Sequence, residues 1–168
     1  MTELFRSQRF DPEHHEISSF RSGEDALDTW LREQAAIASK RGAARTWVWV
    51  DGDGRVAGYY ALAAHKVARE QVPSRIGRGG PAEIPSVLLA RLALSKHLHG
   101  HGLGTVLVAD ALWRVVVATR TVGARVVVVD ALSESIAGFY ETLGFRRIPG
   151  SLRLVQKIAD IEAAFTKC

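Results

Sequence analysis

The residues from Lys96 to Thr105 carry three glycines at alternate positions, Gly100, Gly102 and Gly104, with an apolar run on either side. Glycine leaves its backbone N–H open to close approach, and a helix starting there adds unpaired donors and a partial positive charge. Together these features hold an anion, most often a phosphate. A P-loop needs Gly-x-x-x-x-Gly-Lys, and no lysine follows Gly104. A dinucleotide loop needs Gly-x-Gly-x-x-Gly, and Thr105 stands where its third glycine belongs. Taken alone, the stretch is also compatible with a plain strand-to-helix turn.

Other reactive side chains add less. His97, His99 and His101 alternate, but no cysteine or carboxylate stands beside them, so no metal is expected. His14 and His15 read as surface residues. The single cysteine, Cys168, excludes an intrachain disulfide and argues against a buried thiol nucleophile. Bases cluster at Lys40, Arg41 and Arg45 and again at Lys66, Arg69, Arg75 and Arg78, in a chain of formal charge +4. A polyanionic partner is compatible with that clustering, and so is scattered solubilising charge.

The elements that must position these groups follow from periodicity. Ser22 with Asp25 reads as a capping pair ahead of one amphipathic helix carrying Leu27, Trp30, Leu31, Ala35 and Ala38 and stopping at Gly42. Glu13 to Phe20 reads as a short edge strand. Thr46–Val50 and Arg55–Leu62 flank Asp51-Gly52-Asp53-Gly54, the pattern of an antiparallel hairpin. Val67 to Pro85 is a long aperiodic loop, functional or mobile. Val87 to Leu94 is apolar on both faces except at Arg91, which predicts a strand covered on both sides. A helix from Leu103 to Val117 and a strand at Arg125–Val129 complete a βαβ crossover with parallel strands. Ser133 caps a helix through Ile136, Phe139, Tyr140 and Leu143 to a stop at Gly144. Ile148-Pro149-Gly150 forms a turn, Leu152–Val155 a strand, and Asp160–Thr166 a short helix. At 168 residues and 47% hydrophobic content, residues 1–168 are expected to form one domain. Met1–Gln8 lacks an apolar segment and no run approaches the roughly 20 residues of a membrane span. The expectation is a soluble, cytoplasmic protein without membrane contact.

The segment His99-Gly100-His101-Gly102-Leu103-Gly104 resembles the acyl-CoA pyrophosphate loop of GNAT acetyltransferases, Gln/Arg-x-x-Gly-x-Gly/Ala. Phe139-Tyr140-Glu141-Thr142-Leu143-Gly144-Phe145 is similar to the Phe-Tyr-x-x-x-Gly-Phe ending of many GNAT enzymes. Phe20-Arg21-Ser22-Gly23, Leu27-Asp28-x-Trp30-Leu31, Gly58–Leu62 and Leu89–Ala93 extend the likeness to GNAT toxins of bacterial type II toxin-antitoxin systems. It runs from about Phe20 to Leu154.

The resemblance implies an α/β (α+β) GNAT fold, with a mixed central sheet of about six to seven strands and helices on both faces. Parallel strands splay around the acyl-CoA site. It implies acetyl-CoA as co-substrate, with the pantetheine arm on Leu92, Ala93 and Leu94 and the pyrophosphate on His99, Gly100, His101, Gly102, Leu103, Gly104 and Thr105. Ser133 joins the cofactor contacts. His99 departs from the usual Gln or Arg, which predicts weaker or pH-dependent cofactor binding. The activity implied is transfer of acetyl to the α-amino group of aminoacyl-tRNA, blocking translation. The partners implied are a cognate antitoxin, a ribbon-helix-helix DNA-binding protein, and a second copy in a homodimer.

The chemistry suits that acceptor. An α-amine with pKa about 7.7 to 8.0 is partly neutral at pH 7 and needs no strong base, unlike lysine at about 10.4. No base is evident: Asp130, Glu134 and Glu141 read as strand-end or helix-surface residues. The departing thiolate needs a proton, and by family position Tyr140 supplies it; otherwise Tyr140 is a core aromatic. Lys40, Arg41, Arg45, Arg75, Arg78 and Arg91 are the candidate contacts to the nucleic acid. The alternatives are acetylation of a small-molecule amine, for which an acidic cleft is expected, or of a protein N-terminus. A non-catalytic acyl-CoA-binding or DNA-regulatory module is the competing class.

Overall fold

The computed structural model describes residues 5–167. Among them are seven strands, β1 (Arg6–Arg9), β2 (Arg45–Val50), β3 (Val56–Ala68), β4 (Glu83–Leu94), β5 (Val126–Asp130), β6 (Arg146–Arg147) and β7 (Arg153–Lys157). Six α-helices accompany them: α1 (Asp25–Glu33), α2 (Ala35–Lys40), α3 (Ser74–Gly77), α4 (Leu103–Ala118), α5 (Glu134–Thr142) and α6 (Ile158–Thr166). The strands follow the order β1-β2-β3-β4-β5-β7-β6 in a mixed sheet. Packing divides the chain into two compact units, Met1–Ala63 with Ala90–Ala111, and Ala64–Leu89 with Leu112–Cys168.

In the first unit β1, β2 and β3 form an antiparallel meander, with Ser7 opposite Trp49 and Val48 opposite Tyr59. Asp51 Oδ1 accepts from the N–H groups of Asp53 and Arg55, and Gly54 takes φ +79, which closes the expected hairpin. The edge strand is Arg6–Arg9, not Glu13–Phe20. That polar stretch satisfies itself in turns: Glu16 accepts from Ser18 Oγ at 2.6 Å and from Ser19 Oγ at 2.6 Å, hydrogen bonds that hold its carboxyl at about 2. His15 is buried rather than exposed, because its Nδ1 accepts the Asp11 N–H at 2.8 Å and its ring stacks on Phe10.

The expected single helix is two, separated by the one turn residue Gln34, whose φ of −117° is stretched although it stays in the right-handed region. Leu31 and Ala35, 1% and 0% exposed, both still reach the core of Phe20, Val48, Val56 and Tyr59. Ser22 does not cap against Asp25. Its N–H and hydroxyl both go to the buried carboxylate of Asp28, and the N-cap residue Glu24 supplies no side-chain bond.

In the second unit β4 and β5 are parallel, with Ser86 opposite Val126 through Leu89 opposite Val129. Antiparallel β7 pairs with β5 and carries β6 at the edge. Val126 to Val129 are buried, as four consecutive valines between covered faces should be. β4 itself is less enclosed than expected, since Val87, Leu88 and Ala90 to Leu92 are only half-buried.

The stretch from Val67 to Pro85 is not an open loop. It contains the end of β3, a 3-10 turn at Arg69–Gln71, α3 and the start of β4. Val72 and Ile76, 7% and 3% exposed, anchor it in a core with Ile84, Val126, Val128 and Val155. Arg69 ties its two ends, with its N–H to the Ala82 carbonyl at 2.9 Å and its Nη1 to the Gly80 carbonyl at 2.7 Å. No regular apolar period marks the segment because its buried residues, Val67, Val72, Ile76 and Ile84, are unevenly spaced over a strand end, a turn, a short helix and a strand start. Ser133 caps α5 by accepting the Ile136 N–H at 3.3 Å, and Gly144 ends it at φ +99. The buried face of α5 is Ala137 and Tyr140, while Ile136 is exposed. No described helix is long and apolar enough to cross a membrane.

Candidate active site

Leu92, Ala93 and Leu94 end β4, and backbone bonds then turn the chain. The Ser95 N–H donates to the Ala57 carbonyl at 2.8 Å and the Lys96 N–H to the Arg21 carbonyl at 2.7 Å. Gly58 lets the strand end approach, since a Cβ there would lie 3.4 Å from the Ala93 carbonyl oxygen and from side-chain carbons of Leu94 and Leu107. After a 3-10 turn at Lys96–Leu98 the chain passes Gly100 at φ +82 and Gly102 at φ +75 and enters α4 at Leu103.

A Cβ at Gly100 or Gly102 would meet nothing within 4 Å, so the left-handed backbone rather than crowding demands glycine. Among the described residues no protein group accepts from the N–H groups of Gly100, His101 or Gly102. The first N–H groups of α4, from Leu103 through Gly104 and Thr105, have no intrahelical partner either. These free donors fit a pyrophosphate.

His99 Nε2 lies 2.9 Å from the Leu94 carbonyl, and a carbonyl only accepts, so that nitrogen carries a proton. His97 turns elsewhere, with Nδ1 2.8 Å from Ser95 Oγ. No group of three His, Cys, Asp or Glu able to hold a metal occurs among the described residues. The parallel register of β4 with β5 ends at Leu89 and Val129, while β4 continues to Leu94.

Tyr140 lies on α5 in the second unit, 5% exposed, with Phe139 and Phe145 edge-on at 5.4 and 5.5 Å. Among the described residues its hydroxyl has no hydrogen-bond partner. Burial pushes the phenol above its usual range, so it keeps its proton throughout the neutral region. Glu134 and Glu141 both pair with Arg147, and Arg153 grips Asp130 through Nε and Nη2 at 2.7 and 2.8 Å. The Arg153 guanidinium holds the Asp130 carboxyl below the usual carboxylate range. All three acids are engaged in ion pairs.

The candidate cations separate on inspection. Lys40 and Arg41 are exposed at the end of α2, while Arg45 donates to the Ser39 carbonyl at 2.7 Å and so closes that helix. Arg91 lies 5.3 Å from the ring centroid of Trp30, which itself stacks on Tyr59 at 6.1 Å. Arg75 and Arg78 line different depressions, and the Arg78 carbonyl accepts from Arg125. Sequence reasoning missed Arg146 and Lys157, which line the same depression as Arg75. It also missed His65, whose Nε2 lies 3.3 Å from Arg153 Nη1. No sequence spacing relates these residues; the β6–β7 register and the docking of α3 bring the three cations together.

No family model matches the chain. A curated relative, the tRNA-acetylating toxin of Mycobacterium tuberculosis, is 40% identical over 149 residues, which is 88% of this chain and 89% of that protein. The structure of AtaT complexed with acetyl-methionyl-tRNAfMet is similar at TM-score 0.88 and 28% identity, covering 96% of this chain and 99% of that one. A mutant AtaT bound to the C-terminus of the antitoxin AtaR and to acetyl-CoA gives TM-score 0.82 at 27% identity, over 97% and 99%. With its glycine loop, its short parallel register and this likeness over nearly its whole length, the chain belongs to the GNAT-like tRNA-acetylating toxins of toxin-antitoxin systems.

Proposed function

We propose that residues 1–168 act as one acetyltransferase domain, a toxin that moves acetyl from acetyl-CoA to the α-amino group of aminoacyl-tRNA and so blocks translation. The glycine loop carries this reading: Gly100 and Gly102 hold a left-handed backbone whose N–H groups have no protein acceptor among the described residues. Those donors and the α4 N-terminus take the pyrophosphate, as helix N-termini take phosphates generally. Past Leu89 the β4 backbone is free of β5, and Leu92 to Leu94 offer it to the pantetheine amides as an added strand would. A strand N–H aimed at the developing oxyanion contributes on the order of 10²- to 10³-fold.

The neutral amine attacks the thioester carbonyl, the C–S bond breaks, and the thiolate leaves. Tyr140 gives its phenolic proton to that sulfur and recovers one from the new amide's surplus by way of solvent. The phenol is protonated throughout the neutral range, as a donor must be, and burial makes it a weaker acid than a free phenol. Lys40, Arg41, Arg45, Arg75, Arg78 and Arg91 are the proposed contacts to tRNA phosphates. Ser133 combines its capping role with a cofactor contact.

A ribbon-helix-helix antitoxin is the proposed silencing partner, and the AtaR complex of a relative supports an antitoxin of some kind. A homodimer and a cytoplasmic site of action complete the reading, since charged tRNA is found there. The test incubates the purified chain with labelled acetyl-CoA and bulk charged or deacylated tRNA. Label should enter the charged pool alone and leave as N-acetyl amino acid on alkaline treatment. Transfer to a small cationic amine or to peptide N-termini, with none to charged tRNA, overturns it.

A further inference from the structure

Antiparallel pairing of β6 with β7 places Arg146 opposite Val155 and Arg147 opposite Leu154. Side chains alternate along a strand, so Arg146, Val155 and Lys157 share one face and Arg147 takes the other. Arg146 and Lys157 are then diagonal neighbours, roughly 7–8 Å apart at their backbones. Val155 is buried in the same cluster as Ile76, which docks α3 on that face and brings the adjacent Arg75 alongside. The result is a depression of about 230 Å³ lined by Arg75, Arg146, Lys157 and a single carboxylate, Asp160.

Three cations converge on this one depression against a single acid. Lys66 pairs with Glu83, Arg120 with Glu162, Arg147 with Glu134 and Glu141, and Arg153 with Asp130. Arg75, Arg146 and Lys157 form no ion pair among the described residues, and Asp160 lies beyond salt-bridge distance of all three. Like charges on one strand face destabilise a fold unless something relieves them. An anion bound in the depression would do so.

We infer that Arg75, Arg146 and Lys157 form a phosphate-binding site for the RNA backbone of the acceptor. The inference rests on the aminoacyl-tRNA reading for its ligand. Two guanidiniums offer planar forks that match phosphate oxygens, and the lysine adds a compact charge. The three cations come from three separate elements, so they suit successive phosphodiesters of an extended chain better than one compact group. Asp160 brings the lining to a net charge of +2, enough for two phosphodiester monoanions and a barrier to closer-packed charge.

The experiment uses the full chain with the double variant Arg146→Gln, Lys157→Gln and, separately, Arg75→Gln. Filter retention of uncharged tRNA is measured across a salt series, a readout that needs no acetyl transfer. The double variant should weaken binding at least tenfold, and the slope of log K against log salt should fall by about 0.7 to 0.9 for each phosphate left unneutralised. The KM for charged tRNA should rise in parallel, while the KM for acetyl-CoA stays unchanged. Exchanging the charges, Arg146→Lys with Lys157→Arg, should recover most of the slope. Arg120→Gln, which removes a paired cation, should change nothing. An unchanged slope in both the double and the Arg75 variants overturns the site, and so does a shift confined to acetyl-CoA, which would give the phosphate to the cofactor instead. Failure of wild-type acetyl transfer with tRNA binding intact would count against the proposed activity and not against this site.

Discussion

The carboxylate of Asp28 accepts from Ser22 twice over, through the N–H at 3.0 and 3.2 Å and the hydroxyl at 2.6 Å. Asp28 is 2% exposed, so these bonds replace water rather than compete with it. They fix the turn before α1 onto that helix. Replacing Asp28 by Ala strands the Ser22 N–H in the interior and leaves its hydroxyl only the Glu24 carbonyl at 3.3 Å, which should lower stability by about 1–3 kcal/mol. Asp28→Asn keeps one acceptor and should cost about half as much. Urea denaturation of the two variants measures this, and a loss below about 1 kcal/mol for the alanine variant would show that water reaches the site.

Gly102 carries a second prediction. A valine there must hold φ +75, which costs about 1–2 kcal/mol, and its side chain would stand where a phosphate approaches. Acetyl-CoA affinity should drop well over tenfold by calorimetry, out of proportion to the small loss in Tm. Unchanged affinity would remove the loop from the binding site.

For Tyr140 the phenylalanine variant keeps the ring between Phe139 and Phe145 and removes only the hydroxyl. Turnover should fall about 10²-fold or more. Acetyl-CoA affinity and Tm should hardly change, because among the described residues the hydroxyl has no partner in the resting protein. Growth arrest on expression should vanish with it. Near wild-type turnover in Tyr140→Phe would end the proton-donor role.

Alkaline stability depends on the same residue. Burial raises the phenols of Tyr59 and Tyr140 above the unfolded value near 10. Above that pH the unfolded chain loses protons that the folded chain keeps, so stability is full below about pH 10 and declines as pH rises toward the folded-state values. Tyr140→Phe should flatten the decline measured by denaturation between about pH 9 and 11. An identical profile would mean that Tyr140 reaches solvent before the chain unfolds.

Much of this architecture was legible in the sequence, and the exceptions share a cause. The parallel crossover, the hairpin at Gly54, the Ser133 cap and the stop at Gly144 each depend on local chemistry or on an apolar period, and both are visible in a string of residues. Ser22 with Asp28 and buried His15 with Asp11 are decided by side chains meeting partners in three dimensions. The cation cluster is the sharpest case. Arg75, Arg146 and Lys157 sit on α3, β6 and β7, and the register of Arg146 with Val155 together with the burial of Ile76 makes them neighbours.

The anchoring of the segment between β3 and β4 has a consequence for how fast and how selectively RNA can engage it. Because Val72 and Ile76 are already buried and Arg69 spans its two ends, the backbone under Arg75 is ordered in the free protein. Conformational entropy that a loose arginine-rich loop would surrender on meeting its ligand has been given up during folding. Such a surface presents a fixed spacing of charge, so it favours polyanions whose phosphates match that spacing over those that merely carry the same charge.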